Sequence, residues 1–176
     1  MPLYLLDALE AINHFFNSGG PVLYLIAALA FVMWTLMLER FWYYFVGYRR
    51  DARQVIDAWE GRSERQSWAA HAIRDKLISE TCIKIDQNLS LIKTLIAICP
   101  LFGLLGTVTG MIDVFTVLSI TGGADAKSMA GGISRATIPT MAGMVAALSG
   151  VFANIYISQK ASRERQLIEE HLTMDH

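Results

Sequence analysis

The stretch TLIAICPLFGLLGTVTGMIDVFTVLSI, residues 94–120, carries one charged side chain, that of Asp113. A helix needs about 20 apolar residues, at about 1.5 Å each, to cross the ~30 Å hydrocarbon core of a bilayer. Two further stretches meet this requirement, because residues 21–38 carry no charge over eighteen positions and residues 136–159 carry none over twenty-four. The sequence therefore predicts an all-α polytopic membrane protein with three transmembrane helices.

The overall composition agrees with this prediction. The chain of 176 residues is 53% hydrophobic and 18% charged, whereas soluble domains carry about 25% charged residues. A net charge of −1 argues against a nucleic-acid partner, and two cysteines argue against a secreted disulfide scaffold. The lipid bilayer is the predicted surrounding of most of the chain.

Basic residues orient the three spans. Ten of the fifteen Lys and Arg residues fall within 40–93 and three more follow residue 159, whereas the first twenty residues contain none. Because segments rich in Lys and Arg stay in the cytoplasm, we predict a cytoplasmic middle segment and C-terminus, with the N-terminus and the turn at 121–130 outside. Ala28 and Ala30 would fit a signal-peptide cleavage site, but no basic residue precedes the apolar stretch, so we expect no cleavage.

Patterned segments flank the first span. Residues 1–20 predict an amphipathic interfacial helix that ends at Gly19-Gly20-Pro21. Its apolar positions at helical spacing are Leu5, Leu9, Ile12 and Phe16. After the span, a predicted aromatic belt consists of Trp42, Tyr43, Tyr44 and Tyr48.

The middle segment predicts a helical hairpin that breaks near Gly61, with Ser63 and Gln66 resembling a capping box. Residues 63–99 contain no Gly or Pro, so we predict one long helix that extends from the cytoplasm into the second span. Its apolar residues recur at alternating steps of four and three, a heptad-like stripe that predicts packing against another helix. The stripe consists of Ile78, Cys82, Ile85, Leu89, Ile92 and Ile96.

Small residues line one face of the second span and one face of the third. Lipid does not drive apolar helices together, so close packing between them depends on small residues. For either face taken alone, helix packing is the favoured interpretation. The positions are Gly103, Gly106 and Gly110 in the second span, and Ala136, Gly143, Ala147 and Gly150 in the third.

Four polar side chains on these spans indicate more than packing. Counted from the adjacent ends of the spans, Thr107 and Thr140 lie ~21 Å and ~18 Å deep. By the same count, Asp113 and Arg135 lie ~12 Å and ~10 Å deep, and we predict an intramembrane ion pair between them at a helix or subunit interface. Ionisable groups within a membrane are functional candidates.

The sequence contains no pattern typical of an enzyme. It has no nucleophile triad, phosphate-binding loop or paired catalytic carboxylates. Cys82 and Cys99 have no His cluster beside them, because the four His residues are scattered along the chain. We therefore expect no enzyme activity, no metal site and no cofactor.

The strings FGLLGTVTGMI (102–112) and GGISRATIPTMAGMVAA (131–147) resemble the MotA/TolQ/ExbB proton-channel family, and its ExbB and TolQ members most closely. The three-span order agrees with these members and disfavours the four-span MotA. The resemblance implies a homopentameric ring around the single-span helices of an ExbD- or TolR-like partner, which works with a TonB-like energy transducer. It also implies that Thr107 and Thr140 line the proton pathway.

Two positions bear on that resemblance. Arg135 stands where the family has an acidic residue in the third span, five positions before the threonine. Because arginine stays charged, it cannot relay a proton, and Asp113 is its expected partner. Pro139 removes the backbone hydrogen bond to the Arg135 carbonyl and is expected to kink the third span.

The resemblance implies a bacterial inner-membrane protein that couples the proton motive force to TonB-dependent transport through the outer membrane. A TolQ-like role in envelope integrity and a non-conducting membrane scaffold are the alternatives. The predicted segments are a periplasmic amphipathic helix (1–20), transmembrane helices (21–42, 94–120 and 131–158), a cytoplasmic helical domain (43–93), a periplasmic turn (121–130) and a cytoplasmic tail (159–176).

Overall fold

The computed structural model describes residues 2–61, 67–121 and 126–172. These residues form no strand and five α-helices: α1 (Pro2–Trp42), α2 (Tyr48–Glu60), α3 (Trp68–Asp86), α4 (Leu89–Thr121) and α5 (Ala126–His171). A π-helical turn, Tyr43–Gly47, joins α1 to α2. Three stretches of the described residues are long and apolar enough to cross a membrane, within 19–47, 68–120 and 129–171. The all-α fold with three transmembrane helices is thus confirmed.

Helix α1 bends at Gly20, where the backbone leaves the helical region (φ 68°, ψ −169°). A positive φ is strained for residues with a Cβ but not for glycine, and Pro21 disfavours helical backbone at the residue before it. The bend separates an N-terminal helix from the first span where the sequence predicts it. Across the bend, the rings of Phe16 and Tyr24 pack with their centroids 5.1 Å apart.

Two predictions near helix starts concern residues outside the described part of the chain. The side chains of Leu5 and Leu9, in the predicted amphipathic face, lie outside it, as do Ser63 and Gln66 of the predicted capping box. The structure describes Ser67 as the N-cap of α3. Its Oγ accepts a hydrogen bond from the backbone N–H of Ala70 at 3.2 Å.

Helix α5 extends beyond the predicted third span at both ends. It begins at Ala126, five residues before the predicted start of the span, while residues 122–125 of the predicted turn lie outside the description. It continues to His171, so the described part of the predicted tail is also helical up to that residue.

The prediction of one unbroken helix through 63–99 is wrong. α3 ends at Asp86, Gln87 and Asn88 form a turn, and α4 begins at Leu89. Asn88 has φ 63°, and asparagine tolerates this left-handed backbone better than most residues. Buried members of the apolar stripe lie on both sides of the turn: Ile85, Leu89, Ile92 and Ile96. The stripe therefore marks packed positions although two helices share it.

The chain divides into two compact units. The first comprises the described residues of Met1–Met33 and Thr94–Val151, and the second those of Trp34–Lys93 and Phe152–His176. The core of the first includes Leu23, Ile26, Met33, Cys99 and Ala147. The core of the second includes Met37, Trp59, Ile85, Ile157 and Leu172. Large apolar side chains such as Phe31 (73% exposed) and Val145 (68% exposed) cover much of the outside, as is typical of surfaces that face lipid or other subunits.

In the second unit, one side chain from the end of α1 and one from the π-helical turn cap the last turn of α3. The Arg40 guanidinium donates to the Lys84 carbonyl at 3.1 Å, and the Tyr44 hydroxyl donates to the Ile85 carbonyl at 2.7 Å. The last four carbonyls of a helix have no partner within it, and α3 ends at Asp86. The two bonds therefore stabilise the end of α3 where the predicted long helix is broken.

The predicted aromatic belt divides into exposed and buried side chains. Trp42 is exposed, whereas Tyr44 and Tyr48 are buried, so the belt interpretation is wrong for these two tyrosines. The Tyr48 hydroxyl donates to the backbone carbonyl of Glu164 in α5 at 3.0 Å. Burial, and next the nearby Glu164 carboxylate, raises the pKa of Tyr48. The phenol therefore remains a hydrogen-bond donor at physiological pH.

The cap on α3 predicts a stability loss in Tyr44→Phe. This change leaves the buried Ile85 carbonyl without its donor, so we expect the free energy of unfolding to fall by about 1 kcal/mol. The melting temperature in detergent measures the effect. Tyr156→Phe, at an exposed tyrosine, is the matched control and leaves the melting temperature unchanged. Equal losses in the two variants would contradict the capping role.

Candidate functional site

In the first unit, α4 and α5 pack backbone against backbone. A Cβ at Gly143 would lie 2.6 Å from the Cys99 carbonyl oxygen, and a Cβ at Gly103 would lie 3.0 Å from the Thr140 Cα. These separations leave no room for a side chain, so the close approach requires glycine at both positions. The contact determines which faces of α4 and α5 meet.

The other small residues on these faces extend the contact along both helices. A Cβ at Gly110 would lie 2.6 Å from the Cβ of Ala136, which is buried. Gly150 faces α1, where a Cβ would lie 2.7 Å from the Met33 sulfur. Ala147 is also buried. The small-residue positions singled out in the sequence therefore lie in tight helix contacts.

Pro139 forms part of the same contact. Its ring is buried and lies against Gly106, where a Cβ would overlap the ring. α5 continues through this position as an α-helix, although proline cannot donate the usual hydrogen bond to the Arg135 carbonyl. Pro139 thus supplies packing surface for α4, and the kink expected there stays a prediction.

Thr107 and Thr140 are half-buried, and both hydroxyls donate to backbone carbonyls. Thr140 donates across the interface to the Gly103 carbonyl at 2.8 Å, and Thr107 donates within α4 to the Leu104 carbonyl at 2.7 Å. Because a hydroxyl has one proton, neither threonine donates to the other, but each retains a lone pair that can accept. Thr140 lies level with Gly103, so Thr107 is about one turn, ~6 Å, further along α4. Thr107 therefore lies nearer the 121 end of α4 than Thr140 does, whereas the count from the helix ends places Thr107 ~3 Å deeper than Thr140.

Asp113 and Arg135 line one cleft of about 760 Å³. Both side chains are exposed. Within the described residues, no ion pair of 4.0 Å or less involves either of them. The predicted ion pair is therefore not formed inside one chain, and its formation across a subunit boundary stays a prediction.

We call this cleft the three-helix cleft. It is bounded by the bend of α1, by α4 and by the first turns of α5. Residues of α1 on its wall include Asn17, Gly20 and Pro21. The sequence does not reveal this contribution, because the approach of the bend to α4 and α5 is a tertiary contact without a local signal. Glycines form much of the wall: Gly19, Gly20, Gly106, Gly110, Gly131 and Gly132. The cleft is therefore open, with one acidic and one basic side chain among small residues.

Cys82 is partly buried and Cys99 is fully buried. Both are free thiols, and burial raises the pKa of Cys82, so that this thiol stays protonated at neutral pH. Cys99 is buried beside Gly143. Across the part of the chain that the structure describes, no three His, Cys, Asp or Glu side chains are grouped as ligands for a metal ion.

Comparison with known proteins shows which family has this sequence pattern. The sequence model of the MotA/TolQ/ExbB proton channel family matches residues 49–170, which include both threonines and the whole contact between α4 and α5. The chain belongs to this family. Its three apolar helices and its family together make it a multi-pass membrane protein of the proton-channel type.

Relatives within the family carry ExbB names. The chain is 29% identical over 179 residues to the putative biopolymer transport protein ExbB-like 1 of Synechocystis sp., covering 84% of this chain and 70% of that protein. It is 29% identical over 186 residues to the putative ExbB homolog of Methanothermobacter thermautotrophicus, covering 88% and 65%. It is 32% identical over 95 residues to the biopolymer transport protein ExbB of Xanthomonas campestris, covering 54% and 37%. The chain thus spans about two thirds of the first two and over a third of the last.

The backbone contact predicts opposite outcomes for two glycine-to-alanine changes. In Gly143→Ala the new methyl group meets the Cys99 carbonyl, so we expect a loss of roughly 1–3 kcal/mol from overpacking. In Gly131→Ala, the matched control, the methyl group points into open space and stability is retained. Thermal unfolding of both variants in detergent measures the difference. A Gly143→Ala variant as stable as the control would contradict the close contact.

Proposed function

We propose that this family member is the channel subunit of a bacterial inner-membrane complex that couples the proton motive force to TonB-dependent transport. Five copies form a ring around the single transmembrane helices of an ExbD-like partner, and a TonB-like protein transmits the energy. The subunit has no catalytic chemistry of its own. The family match and the ExbB relatives support this proposal.

The observation that carries the proposal is the placement of Thr107 and Thr140 beside the contact between α4 and α5. Their hydroxyls satisfy backbone carbonyls and keep a lone pair each. In an apolar span, such acceptors hold water or hydrogen-bond the protonated carboxyl of a partner helix. A proton therefore passes the ring on a carboxyl group of the partner, while the threonines stabilise its neutral form.

The charged residues have a different place in this proposal. The Arg135 guanidinium contributes an electrostatic field, not a proton relay. Asp113 and Arg135 lie in the three-helix cleft together with residues of the α1 bend. The proposed proton route consequently depends on the threonines and the partner, and not on the three-helix cleft.

The proposed orientation has the N-terminus in the periplasm and the C-terminus in the cytoplasm. It rests on the excess of Lys and Arg within 40–93 and after residue 159. Reporter fusions after residue 60 and after Lys160 are expected to give cytoplasmic signals, and a fusion within 122–127 a periplasmic one. A cytoplasmic signal from 122–127 would contradict the orientation.

The threonines predict a loss of function without a loss of assembly. Valine keeps nearly the shape of threonine but lacks the hydroxyl, so Thr107→Val and Thr140→Val are expected to bind the ExbD-like partner and lose most energised uptake. Siderophore- or haem-dependent growth of a deletion strain measures uptake, and co-purification measures assembly.

Two control variants separate conduction from packing. Thr137→Val removes an exposed hydroxyl that bonds the carbonyl three residues earlier at 2.8 Å, as Thr107 does, and is expected to retain uptake. Thr140→Ser keeps the hydroxyl and is expected to restore uptake relative to Thr140→Val. Full growth from both valine variants at pathway positions would favour a non-conducting scaffold. Loss of envelope integrity with normal uptake in the deletion strain would favour a TolQ-like role.

A further inference from the structure

The three-helix cleft lies where the first charged side chains interrupt α4 and α5 and where the apolar run of α1 begins. The apolar run of α1 begins at Pro21, the uncharged run of α4 ends before Asp113, and that of α5 begins after Arg135. All three residues line the cleft. The uncharged run of α4, residues 94–112, is nineteen residues and therefore ~28 Å long, close to the thickness of the hydrocarbon core. The cleft lies at the outer end of this run, ~10–12 Å below the counted ends of the second and third spans, within reach of a headgroup that enters between the helices.

Its two charged side chains are available to a ligand. Both are exposed, and neither takes part in an ion pair with a described residue. The Arg135 guanidinium has a planar set of donors that matches a phosphate. The Asp113 carboxylate accepts hydrogen bonds and attracts an ammonium group. A ligand that satisfies both carries a phosphate and an amine.

The size of the cleft suits such a group. Its volume of about 760 Å³ falls within the ~300–1,000 Å³ typical of small-molecule sites. Six of the seventeen residues that line the cleft are glycine, and a methyl group added at Gly20 or Gly131 would meet no side chain or neighbouring helix within 4 Å. A headgroup can therefore enter between the helices while its acyl chains remain along the exposed apolar faces.

We propose that the three-helix cleft binds the phosphoethanolamine headgroup of a membrane phospholipid, with the phosphate at Arg135 and the ammonium at Asp113. This inference goes beyond proton conduction and does not depend on it. The headgroup of phosphatidylglycerol has no cation for Asp113, and the quaternary ammonium of phosphatidylcholine has no N–H to donate. The cleft therefore selects phosphatidylethanolamine over both.

Native mass spectrometry of the purified full chain tests the proposal. Delipidated protein is titrated separately with phosphatidylethanolamine, phosphatidylcholine and phosphatidylglycerol of identical acyl chains. Wild type is expected to retain phosphatidylethanolamine preferentially. Arg135→Gln is expected to weaken that binding roughly tenfold, as loss of a charge-assisted hydrogen bond implies, and Asp113→Asn to abolish the preference over phosphatidylglycerol. Ser134→Ala and Thr116→Val, next to the cleft but outside its wall, are the matched controls and bind as wild type does.

Several results would overturn the proposal. Wild type that binds the three lipids equally has no headgroup site, and this measurement stands even if a variant fails to fold. Complete displacement of the lipid by an equal concentration of soluble phosphoethanolamine would identify the free zwitterion as the ligand. If single variants dissociate into monomers and the swap of Asp113→Arg with Arg135→Asp restores the oligomer without lipid, the two side chains pair across a subunit boundary instead.

Discussion

The backbone contact between α4 and α5 is the interaction on which the rest of the first unit depends. In a bilayer, lipid tails are as apolar as leucine, so burial of apolar side chains does not bring two spans together. Glycines at 103 and 143 bring the backbones close enough for dispersion contacts and for the hydrogen bond from Thr140 to the Gly103 carbonyl. A side chain at either glycine would separate the helices and lose both.

The contact also explains how polar groups are distributed along the two spans. In the α4–α5 contact the hydroxyls of Thr107 and Thr140 are half-buried and tied to carbonyls, so they are held in fixed positions. Beyond Gly110 and Ala136 the walls include exposed Asp113 and Arg135, and the bend at Gly20 completes the three-helix cleft. Neutral hydroxyls thus lie deeper in the spans, and full charges lie where the uncharged runs end. This order follows the cost of placing a charge in hydrocarbon.

Much of this arrangement could be predicted from the sequence because its signals are local or periodic. The lengths of the apolar runs predict the spans, the Gly20-Pro21 pair predicts the bend, and the small residues predict the packed faces. The turn at Asn88 could not be predicted in this way, because residues 63–99 contain no Gly or Pro to mark it. Its support comes from Arg40 and Tyr44, more than forty positions away. The cleft likewise requires the tertiary approach of α1. The binding partners of Asp113 and Arg135 depend on what occupies the cleft.

Proton flux through reconstituted protein tests the central claim most directly. Liposomes carry the chain alone, the chain with its single-span partner, or neither, and a pH-sensitive dye inside reports proton entry under an imposed membrane potential. The account predicts flux above that of empty liposomes when the chain and its partner are present together, reduced to the empty-liposome level by Thr107→Val. Flux equal to that of empty liposomes with an intact wild-type complex would contradict the account.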